Sequence, residues 1–198
     1  MWHARLVARP REFDEQLALD QALEAFWSGS FAGTSTQDLC ESTGLSRSSL
    51  YNTFSGKADI YRQSLERYGA LKDEERSGYL QRRGTGRSVL QRLLTDIVTD
   101  QYESPDRRGC LVVNAAVEVG LTNADVAALA RNNLHEFRAL LGQLIARGQD
   151  DGSITSTTSA DDLAAVVHAT LNGLQVAGRV AIDRRDSARA VRTLMSLL

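Results

Sequence analysis

Leu39-Cys40-Glu41-Ser42-Thr43-Gly44-Leu45-Ser46-Arg47-Ser48-Ser49-Leu50 has the spacing of two short helices joined by a glycine turn. Cys40 is small where the first helix must approach the second, Gly44 permits a positive φ, and Leu50 is placed to fill the angle between them. That geometry projects the second helix outward. Arg47, Ser48, Ser49, Tyr51 and Asn52 then face a major groove, where Arg can read guanine and Asn adenine. On spacing alone an ordinary helical hairpin fits equally well. The neighbouring residues decide between the two.

Upstream, residues 12–28 place Phe13, Leu17, Ala22, Leu23 and Phe26 near helical spacing, and Gly29 stops the pattern. Ser35 and Asp38 have the spacing of a capping box for a helix over 36–42, and Ser46 suits the N-cap of a helix over 47–53. Gly56 starts a longer helix that carries Ile60, Leu65 and Tyr68 to about Leu80.

Downstream, Ser88 is expected to cap a helix through Val98, and the apolar run 110–119 to be buried on most sides. Asn123 opens a long helix towards Arg147, 148–159 reads as polar loop, and 160–181 and 187–198 read as two apolar helices joined by Asp183-Arg184-Arg185-Asp186. The expectation is an all-α protein of about nine helices. Its first domain, 1–56, is a three-helix helix-turn-helix unit, and 57–198 forms a helical effector-binding and dimerisation domain.

The stretch Ser46-Arg47-Ser48-Ser49-Leu50-Tyr51-Asn52-Thr53-Phe54-Ser55-Gly56-Lys57 closely resembles the signature of the TetR family of repressors, in which serine, aromatic and lysine fall in this order. The resemblance extends through Ala25-Phe26-Trp27, Gly33-Thr34-Ser35 and Asp38-Leu39, over roughly residues 9 to 68. It implies a regulator that binds palindromic double-stranded DNA as a homodimer and leaves it when a small-molecule effector binds. Ser35 or Thr36 would cap the second helix beside a phosphate, Arg47, Ser48 and Ser49 would approach base edges, and Ser46 would belong to the same DNA-binding set. Tyr51 and Asn52 would contact backbone or bases, and Lys57 would neutralise a phosphate at a helix start. Leu50 and Phe54 should be core. One departure is that Gly56 and Ala58 stand where the family often has a serine cap followed by acids, and only Asp59 remains.

The formal net charge of -2 carries no overall basic bias, so a DNA site has to be local. Residues 45–57 hold Arg47 and Lys57 and no acid, and an arm with Arg5, Arg9 and Arg11 has the charge to reach a minor groove or to remain a solvated tail. Two cysteines, no secretory signal and no stretch near the roughly 18 apolar residues of a membrane span fit a cytoplasmic protein.

In the second half, Asn114 and Glu118 lie on one face of an otherwise apolar helix, and a buried polar pair needs partners. Bonds to other helices are one source of partners and a ligand another. Tyr102, Cys110, Asn114, Glu118 and Phe137 are the candidate effector contacts. Cys110, after Arg107 and Arg108 at a helix start, fits either a thiol sensor of oxidants and electrophiles or a small buried residue. A small helical enzyme using Cys110 with His135 or His168 lacks a nucleophile motif, metal set or phosphate loop. A third reading is a scaffold whose hairpin never meets DNA. No metal or cofactor is expected, since no pair of His or Cys has helical or finger spacing. Val167, Leu171, Leu174, Val191 and Leu194 are the candidate dimer contacts of a four-helix interface.

Overall fold

The computed structural model describes residues 14–180 and 183–198. Phe13 and the arm with Arg5, Arg9 and Arg11 lie outside that range. Among the described residues there are nine helices and no strand.

Helix α1 (Glu15–Gly29) starts at Asp14, whose carboxylate accepts from the amides of Gln16 and Leu17. Its buried stripe is Ala18, Ala22, Leu23 and Phe26, at i, i+4, i+5 and i+8. Leu17, expected on that stripe, falls off it and is exposed. Helix α2 (Thr36–Thr43) opens with the full capping box: Ser35 Oγ accepts from Asp38 N, and the Asp38 carboxylate accepts from Ser35 N. Gly44 ends α2 with φ +66°, a left-handed conformation that costs a Cβ-bearing residue about 1 kcal/mol or more. Helix α3 (Arg47–Thr53) then leaves at a new angle from its Ser46 cap.

Helix α4 (Lys57–Leu80) begins after Gly56, whose φ of +136° is open to glycine and strained for other residues, so the expected departure at this cap is matched by the backbone. Helix α5 (Gly86–Glu103) is capped by Thr85, three residues before the expected Ser88, whose amide donates to the Thr85 hydroxyl. Helix α6 (Leu111–Val119) buries only Leu111, Val112 and Ala115 and leaves Val117 exposed, so the apolar run is one-sided. Helix α7 (Ala124–Asp150) runs past Arg147, α8 (Ala160–Gly178) stops short of residue 181, and α9 (Arg184–Ser196) takes in most of the charged tetrapeptide because Asp183 caps it.

Two apolar cores divide the molecule. One joins α1, α2, α3 and the first half of α4 to α6 and the start of α7, through Phe26, Leu39, Leu50, Phe54, Tyr61 and Leu111. The other packs α5, α7, α8 and α9 around Leu94, Leu141, Leu144 and Leu171. Helices α4 and α7 run through both, so the hairpin is braced from behind by helices of the second half. The five expected dimer contacts lie on α8 and α9. Val167, Leu171, Leu174, Val191 and Leu194 are buried in the chain's own second core, because α5 and α7 cover the apolar side of α8 and α9. Among the described residues of these two helices and their caps the exposed large apolar side chains are Val166, Val176 and Leu197, and Val166 and Leu197 flank a groove that also holds Thr170, Ala190 and Leu194.

Helices α5 and α7 meet with almost no space between them. A Cβ on Gly86 would lie 2.2 Å from Gly148 N and 2.5 Å from Gly148 Cα, both backbone atoms that cannot rotate away. Gly86→Ala is therefore expected to wedge the helices apart at a cost of roughly 1–3 kcal/mol. At this length that is a fall in Tm of about 2–12 °C in thermal denaturation. An unchanged Tm would contradict the close approach.

Candidate nucleic-acid interface

Helix α3 is held by its apolar side and free on its polar one. Leu50 and Phe54 are buried in the first core, while Ser46, Arg47, Ser48, Tyr51 and Asn52 are exposed and Ser49 is half-buried. Burial of a leucine and a phenylalanine is worth roughly 1.5–3 kcal/mol each, enough to fix the orientation of so short a helix. Its cap ties Ser46 down: the Oγ accepts from Ser49 N and lies 3.0 Å from the Ser48 and Ser49 hydroxyls. Ser46 thus shapes the start of α3, and Arg47 and Ser48 project from its first turn.

Tyr51 carries the surface across to α2. Its hydroxyl lies 3.0 Å from Thr36 Oγ1, and the Arg47 guanidinium sits 5.8 Å from its ring centroid. Ser35 is exposed with its side chain engaged in the capping box. Lys57, at the first turn of α4, extends its Nζ over the Phe31 ring at 4.6 Å. Among the described residues neither Arg47 nor Lys57 has a carboxylate within salt-bridge distance, so both cations are available to an outside anion. Ser35, Thr36, Arg47, Ser48, Tyr51, Asn52 and Lys57 thus belong to the hairpin and the turns that flank it.

The residues expected at an effector site disperse. Glu118 accepts from the amides of Phe31 (2.9 Å) and Ala32 (2.7 Å), in the turn between α1 and α2. Asn114 Nδ2 donates to Arg108 O at 2.9 Å. Tyr102 Oη is paired with Ser187 Oγ at 2.9 Å, and Phe137 lies under the guanidinium of Arg76 at 3.9 Å. Cys110 is buried, and its sulfur accepts from the Tyr68 hydroxyl at 3.6 Å. Burial, and then the neighbouring Cys110, push the Tyr68 phenol well above its ordinary range. The four-residue spacing of Asn114 and Glu118 does mark a shared helix face, but that face looks at α1 and the loop before α6.

A cavity of about 200 Å³ lies instead between α1, α4, α5 and α8. Trp27, Tyr68, Leu93 and Ile97 give it apolar walls, and Arg76, Gln101 and Gln175 polar ones. Trp27 and Tyr68 meet edge to face at 5.0 Å, and Trp27 Nε1 donates to Gly109 O at 2.9 Å. Arg76 gave no signal in the sequence. It ends the charged run Lys72-Asp73-Glu74-Glu75-Arg76, which reads as a solvated helix face.

Glu118 links this half of the chain to the hairpin. Glu118→Ala is expected to speed hydrogen exchange at the Phe31 and Ala32 amides and to lower stability by about 1–3 kcal/mol. Glu118→Gln keeps one acceptor oxygen and should fall between. Unchanged exchange in the alanine variant would rule the link out.

Two family profiles match the chain. "Bacterial regulatory proteins, tetR family" covers residues 18–63, and "Tetracyclin repressor-like, C-terminal domain" covers 88–194. The HTH-type transcriptional repressor ComR of Escherichia coli is 26% identical over 174 residues, 86% of this chain and 82% of the relative. The uncharacterized HTH-type transcriptional regulator YezE of Bacillus subtilis is 24% identical over 75% of this chain and 76% of its own. Among solved structures, a cysteine mutant of the TetR family regulator CifR, complexed with 26-bp double-strand operator DNA, superposes with a TM-score of 0.82 at 28% identity, covering 96% of this chain and 98% of that one. Matches to both halves, with the capped hairpin and its exposed polar face, make this chain a helix-turn-helix transcriptional regulator of the tetR family.

Proposed function

We propose that two copies of this chain bind a palindromic operator, with one α3 in each of two successive major grooves, and that a small-molecule effector entering the cavity between α1, α4, α5 and α8 releases the DNA. The observation that carries this reading is the outward polar face of α3, with Arg47, Ser48, Tyr51 and Asn52 exposed over buried Leu50 and Phe54. Arg47 and Asn52 are the base readers, and Thr36, Tyr51 and Lys57 hold phosphates. Residues 1–56 are the DNA-reading part, and 57–198 hold effector and dimer contacts. Two α3 helices fit one duplex face only when about 34 Å apart, so an effector that changes their separation ends repression.

The dimer forms through α8 and α9, with Val166 and Leu197 as outward contacts. Their exposure of 58% and 72% supports this placement. Free cysteines and a DNA target fit the cytoplasm. Among the described residues no helix is long and apolar enough to cross a membrane.

Selection of fragments from the source genome by the purified protein tests the reading. Enrichment of a palindrome whose binding weakens linearly in log salt is the expected result. Failure to enrich any palindrome would overturn it. A thiol-sensing variant of the mechanism rests on the contact of Cys110 with Tyr68 at the cavity edge. Operator affinity that survives complete alkylation of Cys110 would eliminate that variant.

A further inference from the structure

The side chain of Arg76 is the odd group in the cavity. It is only 7% exposed, and among the described residues its Nε and Nη1 have no hydrogen-bond partner. A buried guanidinium with unpaired N–H groups is costly, which is why such groups in folded proteins are nearly always matched by an acceptor. One face of Arg76 is covered by Phe137, which positions the cation but offers its N–H groups nothing. His168, edge-on to Phe137 at 5.3 Å, supplies no counter-charge: burial, then the charges of Arg76 and Arg138, hold its pKa down at about 4.

Lys72, Glu75 and Arg108 on the wall are already paired. Lys72 Nζ is 2.6 Å from Glu75 Oε2, and Arg108 is paired with Glu24 outside the cavity. Gln101 Nε2 donates to Gln175 O at 2.8 Å. Asp100 also lines the space, and burial, followed by the charge of Glu75, raises its carboxyl above the usual range. Among the described residues Arg76 has no carboxylate within salt-bridge distance, Asp100 included.

We infer that the cavity binds a small apolar monocarboxylate, with its carboxylate on the edge of the Arg76 guanidinium that lines the space and its hydrocarbon part against Trp27, Leu93 and Ile97. The inference rests on the proposal that this cavity is the effector site, and it names the chemical class of the effector. Size supports it. A cavity of ~150 Å³ accepts benzene, so the about 200 Å³ here suits an aromatic acid or a short acyl chain. Charge supports it too, since a guanidinium without a carboxylate partner among the described residues is matched by an incoming carboxylate.

Calorimetric titration of the unsubstituted protein with benzoate, phenylacetate, hexanoate and octanoate is the test, with benzamide and benzylamine as neutral and cationic counterparts of benzoate. At least one acid should bind, and benzoate at least about tenfold more tightly than benzamide. Arg76→Met, which keeps the stack on Phe137, should abolish that preference while melting no lower than the parent, because it removes an unmatched buried charge. Equal binding of benzoate and benzamide, tighter binding of benzylamine, or no binding by any of the four acids up to about 10 mM would overturn the inference. Operator release separates the two readings. An acid that binds but leaves the DNA complex intact contradicts the effector site and upholds the carboxylate site. Release by benzamide and not by benzoate does the reverse.

Discussion

Arg47→Ala and Tyr51→Ala are each expected to abolish operator binding at concentrations where the parent is saturated. A side chain that reads a base edge or fixes a phosphate contributes about 1–3 kcal/mol. A symmetric dimer presents every substitution twice. The loss is then roughly 2–6 kcal/mol, a fall in affinity on the order of 30-fold to 10⁴-fold. Both residues are exposed and lie outside the apolar cores, so stability should change by no more than about 0.5 kcal/mol. Gel-shift titration beside a thermal melt separates the two effects. Retained affinity in both variants would mean that α3 does not face the DNA.

The second large effect is on folding of the head. Phe26 is fully buried, meets Tyr61 edge to face at 4.9 Å and lies 6.3 Å from Phe31. Phe31 and Tyr61 in turn pack at 4.9 Å, so three rings share one space under the α1–α2 turn. Phe26→Ala removes a fully buried ring of this cluster and is expected to cost about 3–5 kcal/mol, a fall in Tm of roughly 6–20 °C at this length. The same turn carries the amides held by Glu118, so the variant should also lose operator affinity even below its melting temperature. A melt within about 2 °C of the parent would show that the cluster is not a keystone of the head.

The hairpin was legible in the sequence because its signals are local. The Ser35–Asp38 capping box, the turn at Gly44 and the Ser46 cap each depend on residues within a few positions of one another, and the helix bounds of α3 follow from them. Leu17 misled because it sits one position from Ala18, and only packing against α4 decides which of two adjacent residues a helix buries. Wide apolar arcs carry the same ambiguity. Val167 and Leu171 have the composition of an interface, yet α5 and α7 of the same chain reach them first.

The cavity was the least legible part. Its wall draws Trp27, Arg76, Leu93 and Gln175 from four helices, and no spacing rule links residues that far apart in the chain. Arg76 also hides in a run of charges where only the fold shows that one of them turns inward. Glu118 was found by its contrast with an apolar helix, and its partners were not: the amides of Phe31 and Ala32 lie more than 80 residues away.

Chemical modification of the operator tests the central claim most directly, because dimethyl sulfate methylates guanine N7 in the major groove and adenine N3 in the minor groove. With a selected operator, interference is expected at guanines in two patches centred about 10 bp apart on one face of the duplex, with adenine methylation tolerated between them. Interference confined to adenines, or a single patch, would contradict a dimer that places α3 of each protomer in the major groove.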